Sequence, residues 1–334
     1  MMKKGLNERF WGFIGKFTLV HVMTYTAVAV IFLFIQEALP ASGRIALDFF
    51  QPYRSPGLAV TFTQILRGIV LALILYPFYD TIVKGNRSWL VLFGALWGLA
   101  LFGSVEPIPG SIEGFIYTET TWLEHFMVLA AAAVQVGLFT RLFLRWEQKS
   151  DAAIAAPVNT EISDDPDGGI QRKVTGYLKR FTLLHVISYW FVGMLFYQLT
   201  GYEEALATME AFELFRPLES LAMVGVVFFG QIFRGGILAM LLYPFYSTFM
   251  KKKLGWLLLF ALIYGLTALG SATFLPEFIV GTAALTTFAE FIDSMKIGIP
   301  EITVQMLVFS WLLFKWERRK NRNQITPVIL QPES

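Results

Sequence analysis

The chain of 334 residues has no cysteine. That excludes disulfides, thiolate metal sites, iron–sulfur clusters and cysteine nucleophiles. Histidine is scarce, with three in all. There is no HExxH, GxSxG or P-loop motif, and carboxylates do not cluster as a two-metal site requires. No catalytic residue and no metal site are therefore assigned, and no enzyme class is selected. Charge is also sparse: 16% of residues are Asp, Glu, Lys or Arg, against about 25% in soluble domains. The net charge of +2 implies no nucleic-acid partner, because the basic residues lie at the ends of apolar runs.

What fills the chain instead is apolar. Hydrophobic residues make up 55%, including 32 Phe. Eight runs, at 17–37, 57–79, 89–105, 122–145, 181–200, 221–246, 255–274 and 296–316, approach the ~20 residues a spanning helix needs. The expected class is an all-α integral membrane protein with eight transmembrane helices and membrane lipid as its surroundings. Lys and Arg crowd one set of flanks. The other set holds Arg44, Arg54 and Arg216, with Lys296 at a helix end. The positive-inside rule then puts both termini in the cytoplasm, and a prokaryotic plasma membrane is the expected host. The Asn86-Arg87-Ser88 sequon falls on the cytoplasmic side and reads as a chance tripeptide. A signal peptide is the rival for the first run, but that run has a counterpart in mid-chain that cannot be one.

The counterpart belongs to an internal repeat. Lys16, Thr18, His21, Thr24 and Tyr25 recur as Arg180, Thr182, His185, Ser188 and Tyr189. Gln64, Arg67, Gly68 and the Tyr76-Pro77-Phe78-Tyr79 end recur as Gln231, Arg234, Gly235 and Tyr243-Pro244-Phe245-Tyr246. Gly98, Gly103, Pro109, Glu124, Gln135 and Glu147 match Gly265, Gly270, Pro276, Glu290, Gln305 and Glu317. An even number of spans per copy makes the repeats parallel, related by a pseudo-twofold axis along the membrane normal. The expected layout is a first four-helix repeat over 1–147, a disordered cytoplasmic linker over 148–172, a second repeat over 173–320 and a cytoplasmic tail over 321–334. Small residues at Gly94 and Gly98, and at Ala261 and Gly265, predict close helix packing in the third span of each repeat.

Arg67 and Arg234 each stand near the middle of an apolar run. An arginine at that depth costs at least ~2.5–3.5 kcal/mol unless it is partnered. Gln64 and Gln231 lie one turn away on the same face, and Gln135 and Gln305 fall at similar depth on the last helix of each repeat. No acid of the first repeat is expected at that depth, since Glu124 is too close to its outer boundary. In the second repeat Glu301 is the expected partner of Arg234. The six Arg and Gln residues predict a site for an anionic small molecule or lipid headgroup, because guanidinium forks match carboxylate and phosphate. The plainer alternative is a structural arginine satisfied by glutamines, carbonyls and water.

His21 and His185, flanked by Tyr25 and Tyr189, form matched polar stripes. They read as hydrogen-bonding stripes, with proton coupling, alongside Glu124 and Glu290, as the functional alternative. A haem or metal between the two histidines is a further alternative, although the carboxylates that usually support ligating histidines are missing; no cofactor is predicted. His125 reads as an interfacial residue. The outer loops near 107–121 and 276–287 are Gly-rich and apolar, and either dip into the membrane or lie on it. A transporter or ligand-binding membrane protein is the first reading. A membrane enzyme acting on a lipid or an embedded cofactor, a haem protein and a structural subunit remain open.

Overall fold

The computed structural model describes residues 2–38, 58–152, 168–202, 204, 215–216, 220–271 and 298–325. These form an all-helical bundle. Helix α1 spans Met2–Ala38 and α2 spans Leu58–Leu75. Helix α3 starts at Ser88–Phe93 and continues as a π-helix over Gly94–Phe102. A short α4, Ile112–Tyr117, precedes α5, Trp122–Ala152. In the second half, α6 spans Gly168–Leu199 and α7 spans Leu221–Leu242. Helix α8 runs over Gly255–Tyr264 and ends in a π-helix, Gly265–Leu269, and α9 spans Ile299–Ile325.

Helix is what apolar sequence in hydrocarbon must adopt, because only it satisfies every backbone group within one segment. Among the described residues, five helical stretches are long and apolar enough to cross a membrane: Glu8–Ile35, Val60–Phe78, Trp122–Ser150, Lys173–Leu199 and Leu221–Met250. Their outward faces carry large apolar side chains such as Phe34, Phe62, Phe126, Phe191 and Phe229. A surface of that kind suits lipid rather than water. Pro77 and Pro244 lack an N–H and fall in single 3-10 turns, Tyr76–Phe78 and Tyr243–Phe245, that end α2 and α7.

Two apolar helices among the described residues, Ser88–Phe102 and Gly255–Leu269, are shorter. At ~1.5 Å per residue each extends about 22 Å, less than the ~30 Å of a hydrocarbon core. The runs expected at 89–105 and 255–274 thus stop early. Both stop in the same way, with Gly103 N–H donating to Gly98 O and Gly270 N–H to Gly265 O, each at 2.7 Å. These are i→i−5 bonds, which widen the last turn. The expected linker keeps helix at both ends, 148–152 and 168–172, and the tail is helical to Ile325. Residues 153–167 and 326–334 lie outside the described residues.

Helix α1 packs on α2 and α5, α6 packs on α7 and α9, and α8 packs on α9. Between the halves, α2 and α7 each lie against the short apolar helix of the other half. A Cβ on Gly98 would fall 2.7 Å from Leu241, and one on Gly265 would fall 2.6 Å from Ile74. Apolar attraction is no driving force inside lipid, so close backbone approach of this kind carries the packing. Phe78 and Phe245 meet edge to face at 5.2 Å, and the hydroxyls of Thr81 and Thr248 at 3.3 Å.

At one end of the bundle Glu147, 4% exposed, accepts from Lys16 Nζ at 2.9 Å and Tyr79 OH at 3.0 Å. Glu317, 2% exposed, accepts from Arg180 Nη2 at 3.0 Å and Tyr246 OH at 2.9 Å. These contacts pair residues at matching places in the two sequence halves.

Candidate functional site

Arg67 and Arg234 are the polar centre of the described bundle, and each reaches into the opposite half. Arg67, on α2, donates from Nε and Nη2 to the carbonyl oxygen of Gly270, at 3.1 and 3.0 Å. Arg234, on α7, donates from Nη2 to the carbonyls of Gly103 and Ser104, at 3.1 and 3.4 Å. Those glycines end the two short helices. The last carbonyls of a helix have no intrahelical donor and carry its negative dipole end, so a guanidinium is their natural complement.

Gly68 and Gly235 follow the arginines and let a neighbouring helix close in. A Cβ on Gly68 would sit 3.1 Å from Thr18 Cα, and one on Gly235 would sit 3.2 Å from Thr182 Cα. This approach sets the histidines against the glutamines. His21 Nε2 lies 3.3 Å from Gln64 Oε1, and His185 Nε2 lies 3.2 Å from Gln231 Oε1. With the ring proton on Nε2, each imidazole donates to its own glutamine.

From there the halves diverge. Gln231 Nε2 donates to both oxygens of Glu113, at 3.1 and 3.3 Å, and Arg234 Nη1 pairs with Glu113 Oε1 at 2.9 Å. Glu113 is 3% exposed and lies on α4, in the loop after the first short helix. Two expectations are corrected here. An acid of the first half does reach this layer, and Glu301 does not serve Arg234 but is hydrogen-bonded by Tyr202. Composition could not reveal this, because Glu113 belongs to a loop rather than to an apolar run. The available signal was one acid in a Gly-rich apolar segment suited to folding inward.

Local chemistry folds the loop inward. Ser111 caps α4, its Oγ accepting from Gly114 N at 2.8 Å. His125 Nδ1 accepts from Gly110 N at 2.8 Å, and its ring stacks on Phe115 at 3.7 Å. His125 is buried, 1% exposed, and fixes the loop. Tyr189 hydrogen-bonds Tyr117, the last residue of α4.

In the other half Glu106 supplies the negative charge that acts on Arg67. Gln64 is buried, and among the described residues its Nε2 has no hydrogen-bond partner. Among the described residues no carboxylate lies within ion-pair distance of Arg67. Pro109 aligns with Pro276 and Gly114 with Gly281, so Glu113 aligns with Val280. Glu106 lies in this region and accepts from Ser271 Oγ.

Of the remaining expected residues, Gln135 Nε2 donates to Thr24 Oγ1 at 3.4 Å, joining the α1 stripe, and Gln305 is buried on α9. Tyr25 flanks His21 with ring centroids 6.3 Å apart. Glu124 caps α5, its Oε2 accepting from Thr121 N at 2.6 Å, in the manner of a capping box. Glu290 lies outside the described residues. Among the described residues no three metal-ligating side chains cluster. Comparison with protein-family models, curated proteins and solved structures finds no match.

Proposed function

We propose that the protein is a ligand-binding or transporting membrane protein whose Gln64–Arg67 pair takes the carboxylate of a small anionic molecule. One observation carries this reading. In the matched pair, Gln231 and Arg234 together hold one carboxylate, that of Glu113. Gln64 and Arg67 present the same donor types, and among the described residues Gln64 Nε2 is unpartnered. A ligand carboxylate would take the role in one half that a side chain takes in the other. The half containing Arg234 is then the structural member of the pair and the half containing Arg67 the functional one.

The wider reading is eight crossings in two parallel four-helix repeats about an axis along the membrane normal, with both termini cytoplasmic. Matched sequence positions and matched contacts support it: His21–Gln64 with His185–Gln231, and Lys16–Glu147 with Arg180–Glu317. In this reading the third crossing of each repeat is broken. Its helix stops at mid-depth, and the arginine of the other repeat caps it.

The second reading is a purely structural role. It is favoured by the bonds of both arginines to helix-terminal carbonyls. Thermal unfolding of the purified chain in detergent separates the two. On the ligand reading, acetate or benzoate raises the melting temperature, and Arg67→Gln removes the rise. An Arg67→Gln variant that folds and responds as the parent does would eliminate the site.

A further inference from the structure

A cavity of about 300 Å³ opens between the start of α8 and the second half of α9, at the Glu317 end of the bundle. Trp256, Trp311, Phe314, Lys315, Arg318 and Arg319 line it. Three cations and three aromatic rings share its lining. Lys315 Nζ stands 4.3 Å above the Trp311 ring, and the Arg318 guanidinium 5.1 Å from the Phe314 ring. The rings hold these cations in place without neutralising them.

Among the described residues, none of Lys315, Arg318 and Arg319 pairs with a carboxylate. The acid within their own stretch of helix, Glu317, is 2% exposed and already bound by Arg180 and Tyr246. The positive charge of the cavity is thus left for something outside the described chain. Above the cavity, Val304, Val308 and Trp311 follow one another at helical spacing along α9, and all three are exposed. Lys315 extends the same face by one turn. An apolar strip leading into a cationic, tryptophan-lined cavity matches a molecule with a charged head and a hydrocarbon tail.

We infer that this cavity binds the phosphodiester headgroup of an anionic phospholipid, with an acyl chain lying along Val304, Val308 and Trp311. Arginine forks suit phosphate oxygens. Basic pockets between membrane helices take anionic headgroups on the same principle. The site is separate from Arg67 and does not depend on the reading proposed for it.

Native mass spectrometry of the full chain tests the inference, with release from mixed micelles of equimolar phosphatidylglycerol and phosphatidylcholine. The parent protein is expected to retain phosphatidylglycerol preferentially. A Lys315→Gln, Arg318→Gln, Arg319→Gln variant lowers that preference by about tenfold or more. A control variant, Lys84→Gln, Arg87→Gln, Lys149→Gln, loses the same charge elsewhere and keeps the preference. Equal melting temperatures of the two variants show that folding is not the cause. Equal retention of both lipids by the parent, or equal loss in both variants, would overturn the inference. So would release of the bound lipid by inorganic phosphate, which would make the cavity a free-anion site.

Discussion

Arg67 and Arg234 are the same residue in matched surroundings, yet they are stabilised differently. Arg234 has a carboxylate and two carbonyls; the hydrogen bonds of Arg67 both go to a single carbonyl. Removing one member of a buried ion pair strands the other charge. Arg234→Gln is therefore expected to destabilise by about 3–5 kcal/mol. Removing Glu113 as well, in an Arg234→Met, Glu113→Leu variant, is expected to recover part of that loss. Unfolding in a denaturing detergent titration measures both, and a double variant less stable than the single one would contradict the pairing. Arg67→Gln breaks no ion pair among the described residues and leaves a carbonyl unpaired, for an expected loss of about 1–3 kcal/mol. The glutamines and arginines were legible in the sequence because polar residues in an apolar run stand out. Glu113 was not, because an acid in a loop attracts no notice until the loop folds inward.

Among the elements, the two short apolar helices organise the contact between halves. Their close packing was legible in Gly94, Gly98 and Gly265, which meet Leu241 and Ile74, whereas Ala261 is exposed and takes no part in it. Their early ends were not, because apolar residues continue past Gly103 and Gly270, and the widened last turn has no sequence signature of its own. Gly98→Ala pushes a methyl group to within 2.7 Å of Leu241. Overpacking of this kind is expected to cost about 1–3 kcal/mol, and Leu241→Ala in the same chain should relieve it. The same unfolding titration reads both variants. A Gly98→Ala protein as stable as its parent would mean that the helices do not meet there.

For the molecule as a whole, membrane topology is the first quantity to test, and the natural absence of cysteine makes the test clean. Single cysteines at Asn86, Lys252 and Asn321 should react with an impermeant maleimide only from the cytoplasmic face, and one at Thr120 only from the opposite face. Reaction of Asn86→Cys and Thr120→Cys from the same side would refute a crossing between them. The membrane class was legible from composition. The difference between the halves was not, because the loops that hold Glu113 and Val280 share little beyond Pro109, Ile112 and Gly114 with Pro276, Ile279 and Gly281. On the ligand reading that difference carries the function, and isotope-labelled guanidinium resonances observe it directly. On titration with acetate, the Arg67 resonance is expected to move toward the carboxylate-bonded position that Arg234 already occupies, while Arg234 stays still. Movement of Arg234, or an unmoved Arg67 across a series of small carboxylates, would contradict an open anion site in one half and a filled one in the other.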